Sequence, residues 1–474
     1  MSGTKSYDLV ILGQGSAAFA AAIRADELGI RTAMVGGKAT KGATIGGTCV
    51  NVGCVPSKNL ITVGGTFHGA AQPLFRAINY GRTKLDFERA IAEKDALVRR
   101  MRKAKYTEVL GKLRNVEYIP RRGCFVSKNE VKVGDEVITA KKFLIAVGAK
   151  GKVLPVEGIE DVDYLTNEEA LSLKELPDSL IVVGGRALGL EFAQMYSHFG
   201  TEVTVLQRSD RILPEGEPEI SLALQGYLQD EGIEMQTGVE LRSVSQKGRT
   251  KVVRCTVNGK EKEYRASQLL LAVGREPNTG YIDALKAGVE LDEGGFVKVN
   301  EEMQTSASHV WAAGDVIGEP MLETIAAKEG AVAINNAFGE VRKRINFGEV
   351  PRAVFTYPEV ASVGMTDAEA NGKGIQCACG VLPLDLVPKA QIIGDTRGVI
   401  KLVADRNTKR VLGLHILAPH AADLIHEGVL AVKFRMTIDD IIDTVHVFPT
   451  LSEAIKLAAQ SFYKDVGALS CCTE

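Results

Sequence analysis

The 474-residue sequence lacks the charge excess and the long apolar runs that mark several classes of protein. Its formal net charge of -2 gives no electrostatic indication of binding to nucleic acid or to an anionic membrane. No apolar run approaches the length of a membrane span, and the N-terminus MSGTKSYDLVILG lacks a basic region followed by a cleavable apolar stretch. We therefore expect a cytoplasmic globular protein.

Cysteine is also scarce, because 8 cysteines in a chain of this length are too few for a disulfide scaffold. The rest of the composition is globular, with 45% hydrophobic and 24% charged residues and an unusually high count of 49 glycines. A chain of 474 residues is too long to fold around a single hydrophobic core, so we expect about two to four domains.

The N-terminal segment reads as strand, glycine turn, helix and strand. YDLVILG predicts an apolar strand, GQGSAAFAAAIRADELG predicts a turn and an amphipathic helix, and RTAMV predicts the next strand. Gly13 gives the tight turn, Gly15 lets the backbone approach a pyrophosphate, and Ala18 permits close helix packing. The free N–H groups at the helix start then face the phosphates. A plain glycine turn would share the motif, but the flanking strand and helix favour a dinucleotide site.

A second segment of this kind lies in the middle of the chain. SLIVVGGRALGLEFAQMYSHFGTEVTVLQRS repeats the strand, glycine turn, helix and strand, with Gly184 and Gly189 in its turn. Apolar strands that end in Val-Gly recur at Gly148 and Gly274, as expected where a strand meets a bound nucleotide. Two such modules indicate two nucleotides, one of them a flavin.

The segment TSASHVWAAGDV supports a flavin site. Its apolar strand ends in Gly314-Asp315, and the Asp315 carboxylate can bind a sugar-alcohol chain. Gly-Asp is a common turn pair, so it becomes informative only after the two nucleotide turns.

Two cysteines in GGTCVNVGCVPSK, Cys49 and Cys54, could be metal ligands, a structural disulfide or a redox pair. Structural disulfides are rare in the cytosol, and a zinc site needs two more ligands that no second close pair nearby supplies. Pro56 cannot lie deep in a regular helix, so we expect an irregular or kinked chain between the cysteines. With two nucleotide modules in the chain, the redox interpretation is favoured.

These motifs together resemble the flavin disulfide reductases, which include glutathione reductase, dihydrolipoamide dehydrogenase and mercuric reductase. The resemblance runs essentially end to end, from the first turn through CVNVGC and AAGDV to PTLSEA. It implies an α/β fold with two Rossmann-like dinucleotide-binding domains and a C-terminal α+β dimerisation domain. The implied segments are an FAD domain at 1–150, an NADPH domain at 151–285, a central segment completing the FAD side at 286–347, and an interface domain with a dicysteine tail at 348–474.

The resemblance also implies residue roles. Cys49 would be the exchange thiol that meets substrate, and Cys54 the thiol that lies against the flavin. Lys58 would lie by the flavin and pair with Glu191 of the second turn. The other implied cofactor positions, beside the turn residues above, are Gly36, Thr48, Cys124, Glu323, Gln207 and Arg208.

Three features resemble the mercuric reductase branch of the family. The ending KDVGALSCCTE carries adjacent Cys471 and Cys472, and soft thiolates suit a thiophilic cation. Thiol-producing members carry a His before Pro-Thr to protonate the leaving thiolate, whereas HVFPTLSEA has Phe448 there and His446 two residues earlier. Tyr106 falls where mercuric reductases carry an active-site tyrosine.

The implied protein is a homodimer with FAD and NADPH and an active site shared between subunits. It would reduce Hg(II), delivered as a thiol complex, to elemental mercury, with Cys49, Cys54, Cys471 and Cys472 as metal ligands. NADPH is expected because Gln207 and Arg208 replace the usual ribose-binding acid. Two alternatives stay open: an NADPH-dependent disulfide reductase of the thioredoxin reductase type, and a non-catalytic metal-sequestering flavoprotein.

Several positions depart from the family pattern. Gly36 stands where an acid usually binds the adenosine ribose, and Arg186 replaces the middle glycine of the second turn, which should alter the approach of the backbone to the pyrophosphate. No metal-binding module with its own CxxC is expected before the catalytic region. The remaining cysteines are expected to be structural: Cys377, Cys379, Cys124 and Cys255. Of these, Cys377 and Cys379 are expected to be buried on one face of a strand.

Overall fold

The computed structural model describes residues 5–37, 44–75, 77–78 and 80–469. The strands are β1 (Lys5–Leu12), β2 (Thr32–Val35), β3 (Val116–Ile119), β4 (Gly123–Ser127), β5 (Glu130–Val133), β6 (Glu136–Ile145), β7 (Ala149–Gly151), β8 (Ser179–Val183), β9 (Glu202–Leu206), β10 (Glu234–Gln236), β11 (Val239–Lys247), β12 (Thr250–Val257), β13 (Lys260–Ala266), β14 (Gln268–Leu271), β15 (Arg275–Pro277), β16 (Val310–Ala312), β17 (Arg352–Val354), β18 (Glu359–Gly364), β19 (Cys377–Pro383), β20 (Val399–Asp405) and β21 (Val411–Ala418).

The α-helices alternate with these strands through most of the chain. They are α1 (Ser16–Glu27), α2 (Gly47–Val52), α3 (Cys54–Ala71), α4 (Phe87–Arg102), α5 (Glu108–Leu110), α6 (Asn167–Ala170), α7 (Ala187–Phe199), α8 (Pro218–Asp230), α9 (Glu323–Phe338), α10 (Asp367–Gly372), α11 (Pro388–Ile393), α12 (Ala421–Phe434), α13 (Ile438–Asp443) and α14 (Glu453–Gln460).

The described residues divide into two compact units by their internal contacts. Unit 1 contains residues 5–59, 91–152 and 274–347, and unit 2 contains residues 60–90, 153–273 and 348–469. The four-segment division from the sequence stays a prediction. The units differ from it because residues 60–90 belong to unit 2 and residues 274–285 belong to unit 1.

Unit 1 is built on a seven-stranded sheet in the order β3-β2-β1-β6-β5-β4, with β16 paired to β6. The first four strands and β16 run parallel, and β4 and β5 are antiparallel. Strand β1 is apolar because parallel strands are covered on both faces. Helix α9 lies directly on α1, since a Cβ on Gly330 would lie 2.1 Å from the carbonyl oxygen of Ala17. This packing brings the start of α9 to the start of α1.

Unit 2 repeats the strand, turn, helix and strand pattern and adds two antiparallel sheets. Its parallel sheet has the order β10-β9-β8-β14, beside the antiparallel sheet β11-β12-β13. The C-terminal sheet β17-β18-β21-β20-β19 is antiparallel and packs with α12 and α14 into one core. The predicted fold class, with two Rossmann-like domains and a C-terminal α+β domain, is confirmed.

One expectation about the structural cysteines is wrong. Cys377 and Cys379 are only half-buried, because β19 is the edge strand of its sheet and is paired on one side by β20 alone. The Cys377 thiol lies 2.9 Å from Oδ1 of Asp367, and burial raises the pKa of Cys379 to about 12. Cys255 is buried as expected, and Cys124 is half-buried in β4.

Among the described residues, no helix combines the length and the apolar character that crossing a membrane requires.

Candidate active site

The cysteine pair lies where one helix ends and the next begins. Cys49 is in α2, Cys54 is the first residue of α3, and Gly53 between the helices has the non-helical angles φ −128° and ψ −115°. The predicted irregularity between the cysteines is therefore confirmed. The break is at Gly53, whereas Pro56 lies in the first turn of α3, where a missing N–H costs no helical hydrogen bond.

Asn51, between the two cysteines, fixes the loop that leads into α2. Its side-chain amide donates to the carbonyl oxygens of Thr44, Ile45 and Gly47 at 3.3, 3.1 and 2.7 Å. Arg102 donates in turn to Oδ1 of Asn51 at 2.9 Å. The sequence reasoning missed this positioning pair. The signal for it was a polar residue inside the otherwise apolar CVNVGC segment.

The cysteine segment crosses the first glycine turn at close range. The Gly46 N–H donates to the carbonyl oxygen of Gln14 at 2.9 Å. A Cβ on Gly47 would lie 2.7 Å from the Cα of Gly15, and Gly47 has a φ of +66° that favours glycine. Cys49 follows in the first turn of α2, so the thiol pair lies beside the predicted flavin turn.

The pKa values of the two reduced thiols are shifted in opposite directions. Both are free, with Cys49 half-buried and Cys54 exposed. A hydrogen bond from Cys49, together with the charge of Lys58, lowers the pKa of Cys54. The same hydrogen bond and burial raise the pKa of Cys49. Cys54 is therefore the more acidic thiol of the two, and the separate roles implied by the resemblance stay predictions.

Tyr106 lies in a π-helical turn, Lys103–Thr107, that joins α4 to α5. An extra residue in a helical turn re-aims a side chain, and such turns are frequent at functional sites. The Tyr106 ring packs edge-on against Phe19 with centroids 4.9 Å apart, and its hydroxyl hydrogen-bonds with Ser16. Burial raises the pKa of Tyr106. The π turn is not visible in the sequence.

Glu323, at the first position of α9, is a charged neighbour of the thiols. The Ser16 hydroxyl donates to its Oε1 at 3.2 Å. After the mutual hydrogen bond and burial, its carboxylate also raises the pKa of Cys49, and it opposes the lowering of the pKa of Cys54. The sequence implied a cofactor contact for Glu323, and the structure adds this coupling to the redox pair.

The first turn fits a flavin nucleotide. A Cβ on Gly13 would lie 2.1 Å from the carbonyl oxygen of Ala146, whereas one on Gly15 would meet nothing closer than 3.7 Å. The backbone at Gly15 is therefore open to a phosphate at the start of α1. Gly148 has a φ of +70° with nothing within 4 Å, and burial raises the pKa of Asp315. A half-buried carboxylate at this position can accept hydrogen bonds from a sugar-alcohol chain.

The missing acid at Gly36 has a steric explanation. A Cβ there would lie 2.7 Å from the Cβ of Gln14, so no side chain fits. The Tyr118 hydroxyl lies 2.7 Å from Oε1 of Gln14 and 3.0 Å from the carbonyl oxygen of Gly36. Gln14 and Tyr118 thus occupy the end of β2 where other members carry the acid.

The second glycine turn has the same backbone as the first. A Cβ on Gly184 would lie 2.3 Å from the carbonyl oxygen of Ala272, and one on Gly189 would lie 1.9 Å from that of Gly184. Arg186 has φ −99° and ψ −177°, close to the values of −94° and −168° at Gly15. Arg186 therefore keeps the backbone conformation of the turn, which any residue can adopt, and its effect on the approach to the pyrophosphate stays a prediction.

Gln207 and Arg208 follow β9 at the mouth of this turn. Gln207 is buried, and its Oε1 accepts the Gly185 N–H at 2.9 Å. Arg208 is exposed. The Arg186 side chain is also largely exposed and lies 3.7 Å from Glu215. Gln207 thus holds the turn while the arginines remain available to a ligand.

The other residues predicted to belong to the site lie in the following parts of the structure. Glu191 is buried in α7 and accepts the Phe355 N–H at 3.0 Å. Gly274 has a φ of +109° with nothing within 4 Å, and Thr48 lies in α2. The Lys58–Glu191 pair would join residues of the two units and stays a prediction. Cys471 and Cys472 lie outside the described residues.

The C-terminal motif has no histidine at its acid position. Phe448 is 50% exposed. His446 lies two residues earlier, with its Nε2 3.0 Å from Oε1 of Glu427 and its Nδ1 2.9 Å from the carbonyl oxygen of Thr444. Among the described residues, Oε2 of Glu453 has no hydrogen-bond partner. The motif therefore keeps a carboxylate that could orient a histidine but lacks the histidine.

Two parts of the chain match one protein family. Residues 7–330 match the pyridine nucleotide-disulphide oxidoreductases, and residues 350–459 match the dimerisation domain of the same family. The chain belongs to the pyridine nucleotide-disulphide oxidoreductase family, and the resemblance to the flavin disulfide reductases is confirmed. The class uses FAD and a nicotinamide nucleotide, and the C-terminal match supports a homodimer.

The chain is similar to individual members of the family that carry different activities in their names. The chain is 40% identical to the mercuric reductase of Lysinibacillus sphaericus, over 98% of this chain and 84% of that protein. It is 34% identical to dihydrolipoyl dehydrogenase 2, mitochondrial, of Arabidopsis thaliana, over 98% of this chain and 91% of that protein. The solved structure of the HOCl-induced flavoprotein disulfide reductase RclA from Escherichia coli has a TM-score of 0.84 and 28% identity, covering 95% of this chain and 98% of that chain.

Proposed function

We propose that the protein reduces Hg(II) to elemental mercury with electrons from NADPH. The observation that carries this proposal is the thiol pair between α2 and α3, in which the pKa of Cys54 is lowered and that of Cys49 is raised. Sulfur ligands suit a soft cation, because thiolates bind thiophilic metals in preference to harder ones. The 40% identity to a mercuric reductase supports the same activity.

FAD, which the first glycine turn would hold, would supply the two-electron chemistry between NADPH and the cysteine pair. Cys49, the exchange thiol implied by the resemblance, meets Hg(II) and loses its proton when its sulfur binds the metal, and Cys54 supplies the second sulfur ligand. Lys58 offsets the thiolate charge on Cys54. Two electrons convert Hg(II) to Hg(0), NADPH becomes NADP⁺, and one proton is released.

NADPH is the proposed nicotinamide nucleotide. A carboxylate after β9 would repel a 2′-phosphate, and Gln207 is uncharged and turned towards Gly185. Arg208 is exposed beside it and can pair with a phosphate.

A disulfide substrate is the competing function, and the 34% identity to a dihydrolipoyl dehydrogenase favours it. Reducing a disulfide releases a thiol, which needs a proton donor. Phe448 cannot donate a proton, and His446 is already bound to Glu427. Mercury reduction protonates no organic leaving group, so the absence of an acid does not oppose it.

The deciding experiment is an NADPH oxidation assay with Hg(II) in excess thiol, run beside oxidised glutathione, lipoamide and thioredoxin. Elemental mercury is measured by its loss as vapour. We expect NADPH consumption and mercury loss in equal amounts. Faster turnover of any disulfide than of Hg(II) would reject the proposal, and no NADPH consumption with any substrate would favour a metal-sequestering flavoprotein.

A pair of matched serine variants tests the residues. Cys49→Ser should abolish mercury loss, since one sulfur ligand is removed from the pair. Cys377→Ser removes a half-buried thiol on the edge strand β19 and should retain full turnover. Equal losses in both variants would mean that the effect is on stability and not on chemistry.

A further inference from the structure

Unit 2 contains a cluster of two histidines and a carboxylate that the redox chemistry does not use. His68 is near the end of α3, His198 is near the end of α7, and Glu231 directly follows α8. One ligand atom from each residue lies within 4.8 Å of the other two. Two imidazoles and a carboxylate form a donor set that zinc and similar ions prefer.

The distances within the cluster approach those of a metal site. Nε2 of His198 lies 3.1 Å from Oε2 of Glu231. Two ligand atoms on a tetrahedral zinc ion, with bonds of 2.0–2.1 Å, lie about 3.3 Å apart. The His68 and His198 rings are stacked, with centroids 4.2 Å apart and an interplanar angle of 19°. The ligand atom of His68 lies within 4.8 Å of the other two, so it must move closer when all three bind one ion.

The carboxylate is held in position by a second set of contacts. Gln194 donates to Oε2 of Glu231 at 2.7 Å, and Arg397 donates to Oε1 at 2.8 Å. Gln194 also donates to the carbonyl oxygen of Tyr357 at 2.8 Å, which fixes its own orientation. Hydrogen bonds of this kind orient metal ligands and limit the entropy lost on binding.

The charges around the cluster allow a dication. Arg397 brings a positive charge, but it also pairs with both carboxylate oxygens of Asp395 at 2.9 and 3.0 Å. The two carboxylates of Glu231 and Asp395 therefore outnumber the guanidinium by one. Burial, followed by the neighbouring His198, lowers the pKa of His68. A neutral imidazole is the form that binds a metal.

His68 distinguishes a metal site from a simple hydrogen-bonded pair. A His198–Glu231 hydrogen bond alone would account for those two residues. Among the described residues, however, no side chain hydrogen-bonds to the His68 ring, which is half-buried in the same cluster. A half-buried imidazole without a side-chain partner keeps a nitrogen lone pair that a bound ion would use.

We propose that His68, His198 and Glu231 bind one divalent transition metal ion of the zinc type, with water as the fourth ligand. The ion replaces the hydrogen bond between His198 and Glu231. It ties the end of α3 to the ends of α7 and α8, so its effect is on stability and not on electron transfer.

The test uses the FAD-loaded protein after removal of metals with EDTA. Exposed thiols are alkylated with iodoacetamide, and the redox pair is kept as its disulfide, so that sulfur does not bind the probe. Zn(II) is added by equilibrium dialysis, bound zinc is measured by mass spectrometry, and the melting temperature is recorded. We expect one zinc ion per chain and a melting temperature that rises with zinc concentration.

His68→Gln should lose both the bound zinc and the rise in melting temperature. His426→Gln is the matched control, because His426 is an exposed histidine on α12 and should behave as the unmodified protein. Equal zinc binding by His68→Gln and the unmodified protein would overturn the proposal, and so would the absence of zinc binding in the unmodified protein.

A second measurement does not depend on a variant. Cu(II) added to the same alkylated protein should give an electron paramagnetic resonance spectrum with splitting from two imidazole nitrogens. A spectrum with one nitrogen, or with sulfur ligation, would contradict the assigned ligands.

Discussion

At the scale of single residues, the chemistry of the site depends on a few charges around two thiols. The bond from Cys49 and the Lys58 charge favour the thiolate of Cys54, and Glu323 opposes it. Because Glu323 acts on both sulfurs, its removal should make the pair more acidic without disturbing the helix break. The acidity of the pair is therefore set first by the mutual hydrogen bond and burial, and then adjusted by a nearby lysine and by a glutamate from a distant part of the sequence.

Glu323→Gln should lower the thiol pKa values of the reduced enzyme. The carboxylate raises the pKa of Cys49 after the mutual hydrogen bond and burial, so a neutral amide removes a repulsion that thiolate formation must overcome. The pH dependence of alkylation by iodoacetamide measures this, and its midpoint should shift to lower pH. Glu340→Gln, an exposed glutamate just beyond α9, is the control. A midpoint that moves upward, or that moves equally in both variants, would contradict the assignment.

Arg208→Glu should change the nucleotide preference from NADPH towards NADH. A hydrogen bond to a charged group contributes about 1.5–3 kcal/mol, so kcat/KM for NADPH should fall by about tenfold to a hundredfold. Steady-state kinetics with each nucleotide measures the change. Arg249→Glu reverses the charge of an exposed arginine between β11 and β12 and should leave the preference intact. If the unmodified enzyme uses NADPH and NADH equally, Arg208 does not select NADPH by binding its 2′-phosphate.

At the scale of elements, the site depends on the short helix α2 and on how its start approaches α1. Gly46 and Gly47 allow this approach, and Asn51 and Arg102 secure the loop before it. The π turn after α4 then supplies Tyr106. The approach at Gly46 and Gly47 depends on backbone geometry, so a substitution that adds a single carbon there tests it.

Gly47→Ala should reduce both FAD content and stability. The added Cβ would lie 2.7 Å from the Cα of Gly15, and the residue has a φ of +66°. Gly29→Ala is a matched control, because Gly29 has a φ of +67° with nothing within 4 Å. The left-handed backbone alone costs about 1–2 kcal/mol, so Gly47→Ala should lose clearly more than Gly29→Ala. Denaturant unfolding measures the stability and flavin absorbance measures the FAD content. Equal losses of stability in Gly47→Ala and Gly29→Ala would contradict the predicted collision with Gly15.

Phe448→His should give the enzyme measurable disulfide reductase activity without raising mercury turnover. A histidine there would lie five residues before Glu453, whose Oε2 has no hydrogen-bond partner among the described residues. Turnover of oxidised glutathione and lipoamide is the measurement. Val447→His, at the neighbouring 75% exposed position, is the control. A rise in mercury turnover would mean that a proton donor limits that reaction.

At the scale of the whole molecule, each unit carries one nucleotide turn, and the cysteine pair belongs to unit 1. The chain also has Cys471 and Cys472 near its C-terminus, outside the described residues. Hg(II) in a cell is held by small thiols and moves by exchange between thiolates, which favours accessible cysteines over confined ones. We propose that this tail pair delivers the metal to the pair of the partner subunit.

The double variant Cys471→Ala and Cys472→Ala should therefore retain FAD and flavin reduction by NADPH. Turnover of Hg(II) should fall steeply when glutathione is the ligand. The loss should be smaller with bromide, a small ligand with which the metal can enter unaided. Turnover of thiol-bound mercury at the unmodified rate would reject the delivery role.

The sequence by itself determined the features that short-range geometry encodes. The spacing of the turn motifs identified Gly13, Gly184 and Gly189, and a Cβ at each would lie 2.1, 2.3 and 1.9 Å from a carbonyl oxygen. The strand–turn–helix–strand pattern predicted two nucleotide modules, and the resemblance to the flavin disulfide reductases implied the α/β fold. The break between the cysteines also followed from their local sequence, although the breaking residue is Gly53 and not Pro56.

Only the tertiary structure decided which distant residues meet. Ser16 and Glu323 hydrogen-bond although they are 307 positions apart, and no periodicity in the sequence predicts that contact. The edge position of β19 left Cys377 half-exposed, because burial depends on which strands pair and not on the strand itself. The stacking of the His68 and His198 rings also depends on tertiary packing, because the two residues lie far apart in the sequence. Electrostatic and metal-binding chemistry acts through space, and the packing of the chain sets those distances.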